Sequence, residues 1–151
     1  SGAVGMVGGQ SLDLEAEKLP GSTVQTLAMI RRLQSMKTGA LIRFACAAGA
    51  ILANASADDR QRLERFGDTL GFAFQISDDL LDVEGTAEEV GKAVAKDADA
   101  GKATLVSLMG LEAAREKLAE LEREAKDLMA HYGRRGATLA EAASFVVKRR
   151  S

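Results

Sequence analysis

Apolar residues at helical spacing run through most of the chain, which contains a single proline among 151 residues. Aromatic residues make up 4% of the sequence and tryptophan is absent, so the residues that favour strands are scarce. Few helix breakers and few strand formers together predict an all-α fold. We expect one domain over residues 1–151, an antiparallel bundle in which each helix buries its apolar stripe against its neighbours.

Capping signals, glycines and apolar periodicity divide this bundle into helices. A capping box at 86–89 predicts a short turn only, whereas the glycine- and lysine-rich stretch 91–102 predicts an exposed loop. Gly39 is expected to interrupt the second helix, Gly133 to end the fourth and Thr138 to cap the last. In chain order, the predicted helices cover residues 3–15, 22–55, 56–85, 111–132 and 138–150.

The charge balance restricts the possible partners. Lysine and arginine total 20 against 22 aspartates and glutamates, which gives a net charge of −2. A nucleic-acid-binding protein would need a basic face, so we expect no nucleic-acid partner. The most membrane-like run, 39–55, contains Arg43 and is shorter than the roughly 20 apolar residues of a spanning helix. We therefore expect no membrane span and, without a basic signal-peptide start, a cytoplasmic location.

Cys46 and His131 are the only cysteine and histidine, which excludes a disulfide within the chain and a structural zinc site. Cys46 lies among alanines, so we predict a small buried side chain and not a reactive thiol. His131 lies near a predicted helix end, where a donor or a cation favours the carbonyl groups. The basic residues 148–150 are interpreted as a solvated helix terminus.

The most informative motif is a group of aspartates in an apolar helix. Asp78 and Asp82 are four residues apart and Asp79 is three before Asp82, so the three carboxylates project from one face together with Gln75. Like charges at this spacing destabilise a bare helix, and no lysine or arginine lies within one turn of them. Carboxylates without histidine or cysteine suit Mg²⁺, which shares its remaining positions with water and substrate phosphates. The alternative is a solvated acidic face.

Three lysines lie beside or near glycines, namely Lys37, Lys92 and Lys102. Lysine is a compact charge suited to phosphate oxygens, a neighbouring glycine lets the backbone approach closely, and Thr38 and Thr104 add hydroxyl donors. Each lysine alone is more typical of a solvated surface, and none belongs to a Walker A motif. Together with the aspartates, the lysines predict a site for a Mg²⁺-bound diphosphate.

These elements and their order resemble the trans-isoprenyl diphosphate synthases (polyprenyl synthetases), most closely the bacterial farnesyl and geranylgeranyl diphosphate synthases. The resemblance extends over essentially the whole chain and implies the C-terminal half of the all-α isoprenoid synthase fold. It rests on residues 5–14, 37–42, 74–82, 91–104 and 110–112.

The resemblance implies condensation of an allylic diphosphate with isopentenyl diphosphate, with Mg²⁺ as cofactor. Such enzymes ionise the allylic substrate, add isopentenyl diphosphate to the cation and remove a proton. Asp78 and Asp79 match the second of the family's two aspartate-rich motifs, which holds Mg²⁺ on the allylic diphosphate, and Asp82 either lies behind these ligands or acts through water.

The other implied site residues follow from the same resemblance and fall into three groups. They are the diphosphate ligands Lys37, Lys92 and Lys102, the catalytic residues Lys37, Thr38 and Gln75, of which Thr38 and Gln75 face the developing cation, and the prenyl-pocket residues Gln10 and Phe74. For the basic residues 148–150, the resemblance implies an alternative to the favoured solvated terminus, namely basic charge near the diphosphate pocket.

The chain also departs from the family pattern. The first aspartate-rich motif, the basic cluster for isopentenyl diphosphate and the positions that set product length have no counterpart here. Gln34 and Ser35 stand where basic residues or histidine often precede the lysine, and Leu105 and Val106 follow Thr104 in place of Tyr-Pro. We expect a fragment of a synthase or a truncated homologue, inactive in condensation by itself, which forms a homodimer or joins a complementing N-terminal half.

Two other functions stay open at this point. A half-fold would expose apolar faces, which suits a non-catalytic helical partner or regulator of a complete synthase. The joint presence of Lys37, Lys92, Gln75, Asp78 and Asp79 argues against it, because an interaction module needs none of them. A terpene cyclase shares the aspartate-rich chemistry, but the lysine-containing elements fit the synthase pattern better.

Overall fold

A computed structural model describes residues 2–18, 26–90 and 104–149, without the side chains of 17, 18 and 84–90. Every regular element in these ranges is helical, which confirms the all-α fold. The predicted loop 91–102 lies outside the described residues. The elements are α1 (Met6–Lys18), α2 (Leu27–Gln34), a π-helical segment (Ser35–Gly39), α3 (Ala40–Leu52), α4 (Ala57–Val90), α5 (Leu105–Met109), α6 (Leu111–Ala130), a 3₁₀ turn (Gly133–Gly136) and α7 (Ala137–Lys148).

Helix α4 is the axis of the structure, and α3, α5, α6 and α7 all pack against it. Its start is as predicted: the Ser56 hydroxyl accepts from the Asp59 N–H at 3.1 Å and donates to the Asp59 carboxylate at 2.7 Å. The predicted separate turn at 86–89 is wrong, because α4 continues unbroken to Val90. The spacing of a capping box is also that of neighbours on a continuous helix, so the pattern alone does not require a break.

Two apolar clusters lie along α4 and α6. Ile76, fully buried, belongs to the cluster near the aspartates, and Phe66, also fully buried, belongs to the cluster toward the start of α4. The buried stripe of α6 has the predicted spacing and unites both clusters through Ala114, Leu118, Leu121, Ala125 and Leu128. The apolar period in the sequence therefore identified the core face of this helix.

The helix ends in the last third of the chain lie within two residues of the predicted positions, but one predicted cap is wrong. Helix α6 stops at Ala130, and Gly133 follows with φ of +54°, as its predicted role requires. Thr138 does not cap α7, because the 3₁₀ turn leads directly into a helix that begins at Ala137. Gly136 permits this entry, since a side chain there would collide with the Met129 carbonyl.

Gly39 does not interrupt the second helix. The Ala40 N–H donates to the Ser35 carbonyl, which closes a wide π turn, and helical backbone runs from Leu27 to Leu52. By length and mean hydropathy this stretch meets the criterion for a membrane span, a test that core helices of soluble proteins also pass. Because α3 packs along α4, the stretch belongs to the bundle, and the absence of a membrane span stays a prediction.

Close contact between α3 and α4 depends on Gly67. We expect Gly67→Ala to lower the free energy of unfolding by about 1–3 kcal/mol. The reason is that the added Cβ would lie 2.7 Å from the Arg43 Cα. Gly49→Ala on α3 is the matched control, since its Cβ meets nothing within 4 Å. Alanine there should stabilise by about 0.5–1 kcal/mol. Urea denaturation measures both, and equal shifts would contradict this packing.

Candidate active site

A cleft of about 330 Å³ opens between α1, the α2–π segment and α4. It gathers all the described residues predicted for catalysis and metal binding. Gln10 lies on α1 but does not line the cleft, and Lys92 and Lys102 lie outside the described residues. The predicted residues that line it are Lys37, Thr38, Phe74, Gln75, Asp78, Asp79 and Asp82, together with Thr104, which was expected as a hydroxyl donor; the lining residues without a predicted role include Asp13 and Gln34.

Lys37 enters the cleft paired with an aspartate. Its Nζ donates to Asp13 Oδ2 at 2.6 Å, and the Asp13 side chain is only 5% exposed. The π turn carries Lys37 and Thr38 against α1, and Gly9 allows this approach because a Cβ there would collide with the Lys37 backbone. A nearly buried carboxylate that holds the lysine also limits its rotamers, so Lys37 has a fixed direction in the cleft.

Asp79 connects α4 to α5, a short helix that the sequence analysis did not predict. Its Oδ2 accepts from the Leu105 N–H at 2.8 Å, beside the reciprocal capping box of Thr104 and Ser107. Burial raises the pKa of the Asp79 carboxyl, and the backbone N–H groups of Leu105 and Val106 oppose this rise. Asp79 therefore satisfies free donors at the α5 start, a task that occupies one of its oxygens.

Asp78 is compensated by a residue 71 positions away. Arg149 Nη2 donates to Asp78 Oδ1 at 2.8 Å, and the Arg149 side chain is 14% exposed. The interpretation of 148–150 as a solvated terminus is therefore wrong for Arg149, whereas Lys148 is exposed and Arg150 lies outside the described residues. The guanidinium leaves water because Phe74 and the aspartate provide an aromatic face and an opposite charge.

Asp82 is exposed and lines the cleft, and Gln34 lines the cleft from α2. Among the described residues, Gln34 Oε1 is buried without a hydrogen-bond partner, and no three histidine, cysteine or acidic side chains converge closely enough to hold a metal by themselves. Mg²⁺ commonly takes one or two carboxylates and completes its shell with water and phosphate oxygens. The hard oxygen donors of the cleft fit such an ion, with ligands left to come from elsewhere.

Cys46 and His131 lie outside the cleft. Cys46 is half-buried, and burial raises the pKa of its thiol, which disfavours the reactive thiolate. His131 is the C-cap residue of α6, and its Nε2 lies 3.9 Å from the Asp59 carboxylate at the start of α4. Neither side chain lines the cleft.

Sequence signals existed for some of the missed residues. Asp13 stands between two leucines on a helix, a position where an acidic side chain needs a partner. Thr104 was expected as a donor to phosphate, but its cap spacing with Ser107, which indicates a helix start, was overlooked. No local pattern near Arg149 indicates a contact with α4, which depends on how α7 folds back onto the bundle; only the less favoured alternative, basic charge near the diphosphate pocket, placed this terminus close to the cleft.

The family model of the polyprenyl synthetases matches residues 2–145, and the chain belongs to this family. It is 40% identical over 148 residues to a dimethylallyltranstransferase of Fischerella ambigua, covering 98% of this chain and 42% of that protein. It is 43% identical over 129 residues to a farnesyl diphosphate synthase of Bacillus subtilis, covering 85% and 42%. The chain thus spans less than half the length of these relatives.

Solved structures agree in fold. An FPP/GFPP synthase of Zymomonas mobilis superposes with a TM-score of 0.83 at 39% identity, covering 97% of this chain and 46% of the other. A geranyltransferase of Helicobacter pylori, crystallised with magnesium and isoprenyl diphosphate, gives a TM-score of 0.68 at 26% identity and covers 97% and 48%. The resemblance inferred from the sequence motifs is confirmed at the level of family and fold.

The pair of Lys37 and Asp13 should matter more to stability than a surface pair. We expect Lys37→Met to cost about 1–3 kcal/mol of unfolding free energy, because it removes the cation beside a nearly buried carboxylate. Lys117→Met breaks a 2.9 Å pair with the exposed Glu120 and should cost less than about 0.5 kcal/mol. Chemical denaturation compares them, and similar losses would show that burial of Asp13 has no energetic weight.

The hydrogen bond of Asp79 should stabilise the fold, whereas its half-buried charge should destabilise it. Asp79→Ala leaves the Leu105 N–H without this acceptor and should cost about 1 kcal/mol. Asp79→Asn keeps an acceptor and removes a half-buried charge, so it should equal or exceed the wild type in stability at pH 7.

The pH dependence of these variants follows from the raised pKa of Asp79. The native state binds this proton more tightly than the unfolded chain, so the wild type loses stability relative to Asp79→Asn as pH rises above about 4. Thermal melts between pH 4 and 7 test this sign, and a wild-type advantage that grows with pH would refute it.

Proposed function

We propose that this chain supplies the diphosphate- and Mg²⁺-binding part of a prenyltransferase that condenses an allylic diphosphate with isopentenyl diphosphate. One observation carries the proposal: a single cleft collects Lys37, Thr38 and Gln75 together with the aspartates of α4. The family and the names of the relatives support it, because they include farnesyl and geranylgeranyl diphosphate synthases. The allylic diphosphate is the ligand that such a cleft would hold.

The donor set supports Mg²⁺ as the cofactor. Asp78 and Asp82 present exposed carboxylates, whereas Asp79 already accepts from α5 and contributes less. When bound, the ion would supply Lewis-acid stabilisation of the diphosphate leaving group. Four aspartates line the cleft, whereas the described basic residues in contact with them are Lys37 and Arg149, so the local field still favours a cation.

The remaining residues would bind and orient the substrate. Lys37 would donate to a diphosphate oxygen from the direction that Asp13 gives it, and Lys92 and Lys102 would add further positive charge. The side-chain oxygens of Thr38 and Gln75 would face the allylic carbon as positive charge develops there. Phe74 would present its ring to the apolar prenyl chain.

Condensation would require elements beyond this chain. Isopentenyl diphosphate needs its own site, and we propose that it is completed by a homodimer or by a complementing N-terminal half, so that this piece alone is inactive. Large apolar side chains on α3 are exposed, among them Phe44 at 66% and Leu52 at 87%, and they offer a surface for such a partner. We also propose that the reaction takes place in the cytoplasm.

The first experiment measures binding of geranyl diphosphate by isothermal titration calorimetry, with and without Mg²⁺. We expect binding that depends on Mg²⁺ and falls at least about tenfold in Asp78→Asn, because a lost charged ligand to the ion costs 1.4 kcal/mol or more. Asp127→Asn is the matched control, since this exposed aspartate lies on α6 away from the cleft and should leave binding unchanged.

Binding that ignores Mg²⁺, or that Asp127→Asn weakens as much as Asp78→Asn, would refute the proposed site. If the folded protein binds no diphosphate, the alternative of a non-catalytic helical partner takes precedence. Mixing with a recombinant N-terminal half of a relative would then separate the two cases, because only the enzyme fragment would restore condensation.

A further inference from the structure

Arg149 makes four contacts with one face of α4, beside the cleft. Besides Asp78, its Nε donates to Ser77 Oγ at 3.2 Å and its Nη2 lies 3.5 Å from the Phe74 carbonyl oxygen. The guanidinium carbon lies 4.2 Å from the centre of the Phe74 ring. Such a set of contacts fixes the guanidinium in one place, so its charge stays next to Asp78.

The same contacts fasten the end of α7. Ser77, which is 3% exposed, donates from its hydroxyl to the Val146 carbonyl at 2.8 Å while it accepts from Arg149. The Arg149 N–H donates to the Phe145 carbonyl at 2.9 Å and closes the last helical turn. The position of the C-terminal turn and the charge state around Asp78 are therefore parts of one network.

A positive charge 2.8 Å from a carboxylate weakens the attraction of that carboxylate for any second cation. The ion pair uses Oδ1 of Asp78, and the aspartate side chain remains 54% exposed, so a metal ion has access to it. A metal ion that binds Asp78 would therefore share this ligand with Arg149, and the repulsion between the two cations would weaken its binding.

We propose that Arg149 is a positioning residue that acts as a built-in counter-cation of Asp78 and lowers the affinity of the cleft for a divalent cation. The inference rests on the proposed function, because it takes Asp78 as a metal ligand. Coupling between two binding events is reciprocal, so a divalent cation on Asp78 loosens the hold of Arg149 on α4 and frees the last turn of α7.

The test titrates the full chain with Mn²⁺ as an EPR-visible substitute for Mg²⁺. We expect Arg149→Gln to bind Mn²⁺ about three- to tenfold more tightly than the wild type, because a neighbouring like charge is removed. Arg149→Lys keeps the charge and Lys148→Gln removes an exposed neighbouring charge, so both should stay within about twofold. A residue with a structural role only would leave affinity unchanged or weaken it when replaced.

Hydrogen exchange on the wild type gives a second readout that needs no variant. Saturating Mg²⁺ should accelerate amide exchange at residues 145–149 while α6 stays unchanged. Equal or weaker Mn²⁺ binding by Arg149→Gln, or exchange at 145–149 that Mg²⁺ leaves unaffected, overturns the proposal.

Asp78→Asn separates this inference from the proposed function. If Mn²⁺ binding is absent, or is insensitive to Asp78→Asn, the metal role of Asp78 fails and the inference fails with it. If binding depends on Asp78 but is the same with and without Arg149, the metal site stands and only the counter-cation is overturned.

Discussion

The arrangement of the cleft depends on how three of its aspartates are compensated where several helices meet. Each compensated aspartate has a partner from a different element: Lys37 of the π segment holds Asp13, the start of α5 holds Asp79, and Arg149 holds Asp78. Like charges in one cleft repel, and a charge near the protein interior is costly unless it is paired. The partners that lower this cost also attach α1, α5 and α7 to their neighbours, so the electrostatics of the site and the packing around it share the same contacts.

The all-α fold, the long α4 and the core stripe of α6 could be predicted because each depends on local periodicity. The grouping of Asp78, Asp79 and Asp82 on one face is likewise a matter of spacing along a single helix. Their meeting with Lys37 and Thr38 could not be predicted from spacing; it was expected from the complementary chemistry of lysines and aspartates and from the resemblance to a family, which the family model confirms. The chemical roles of these residues stay predictions.

What could not be predicted depends on contacts distant in sequence or on backbone geometry. The π turn has no compositional signal beyond Gly39, and the contact of Arg149 with Asp78 appears only when α7 folds back on α4. The capping-box pattern at 86–89 gave a wrong prediction, because a local pattern does not show whether the preceding helix continues through it. These failures lie at helix ends and at the cleft, where long-range packing outweighs local preference.

The π turn at Ser35–Gly39 also sets the phase of one long helix. A residue on an α-helix is turned by about 100° from its neighbour, so one extra residue in a turn rotates everything that follows by that angle. The half before the turn aims Ile30 and Gln34 at the cleft, and the half after it places Ile42 beside α4. The segment therefore sets the rotation of one half of the helix relative to the other. Deletion of a single residue there would keep the helix continuous but rotate its second half about the axis, so that only one half would face the element it now packs against.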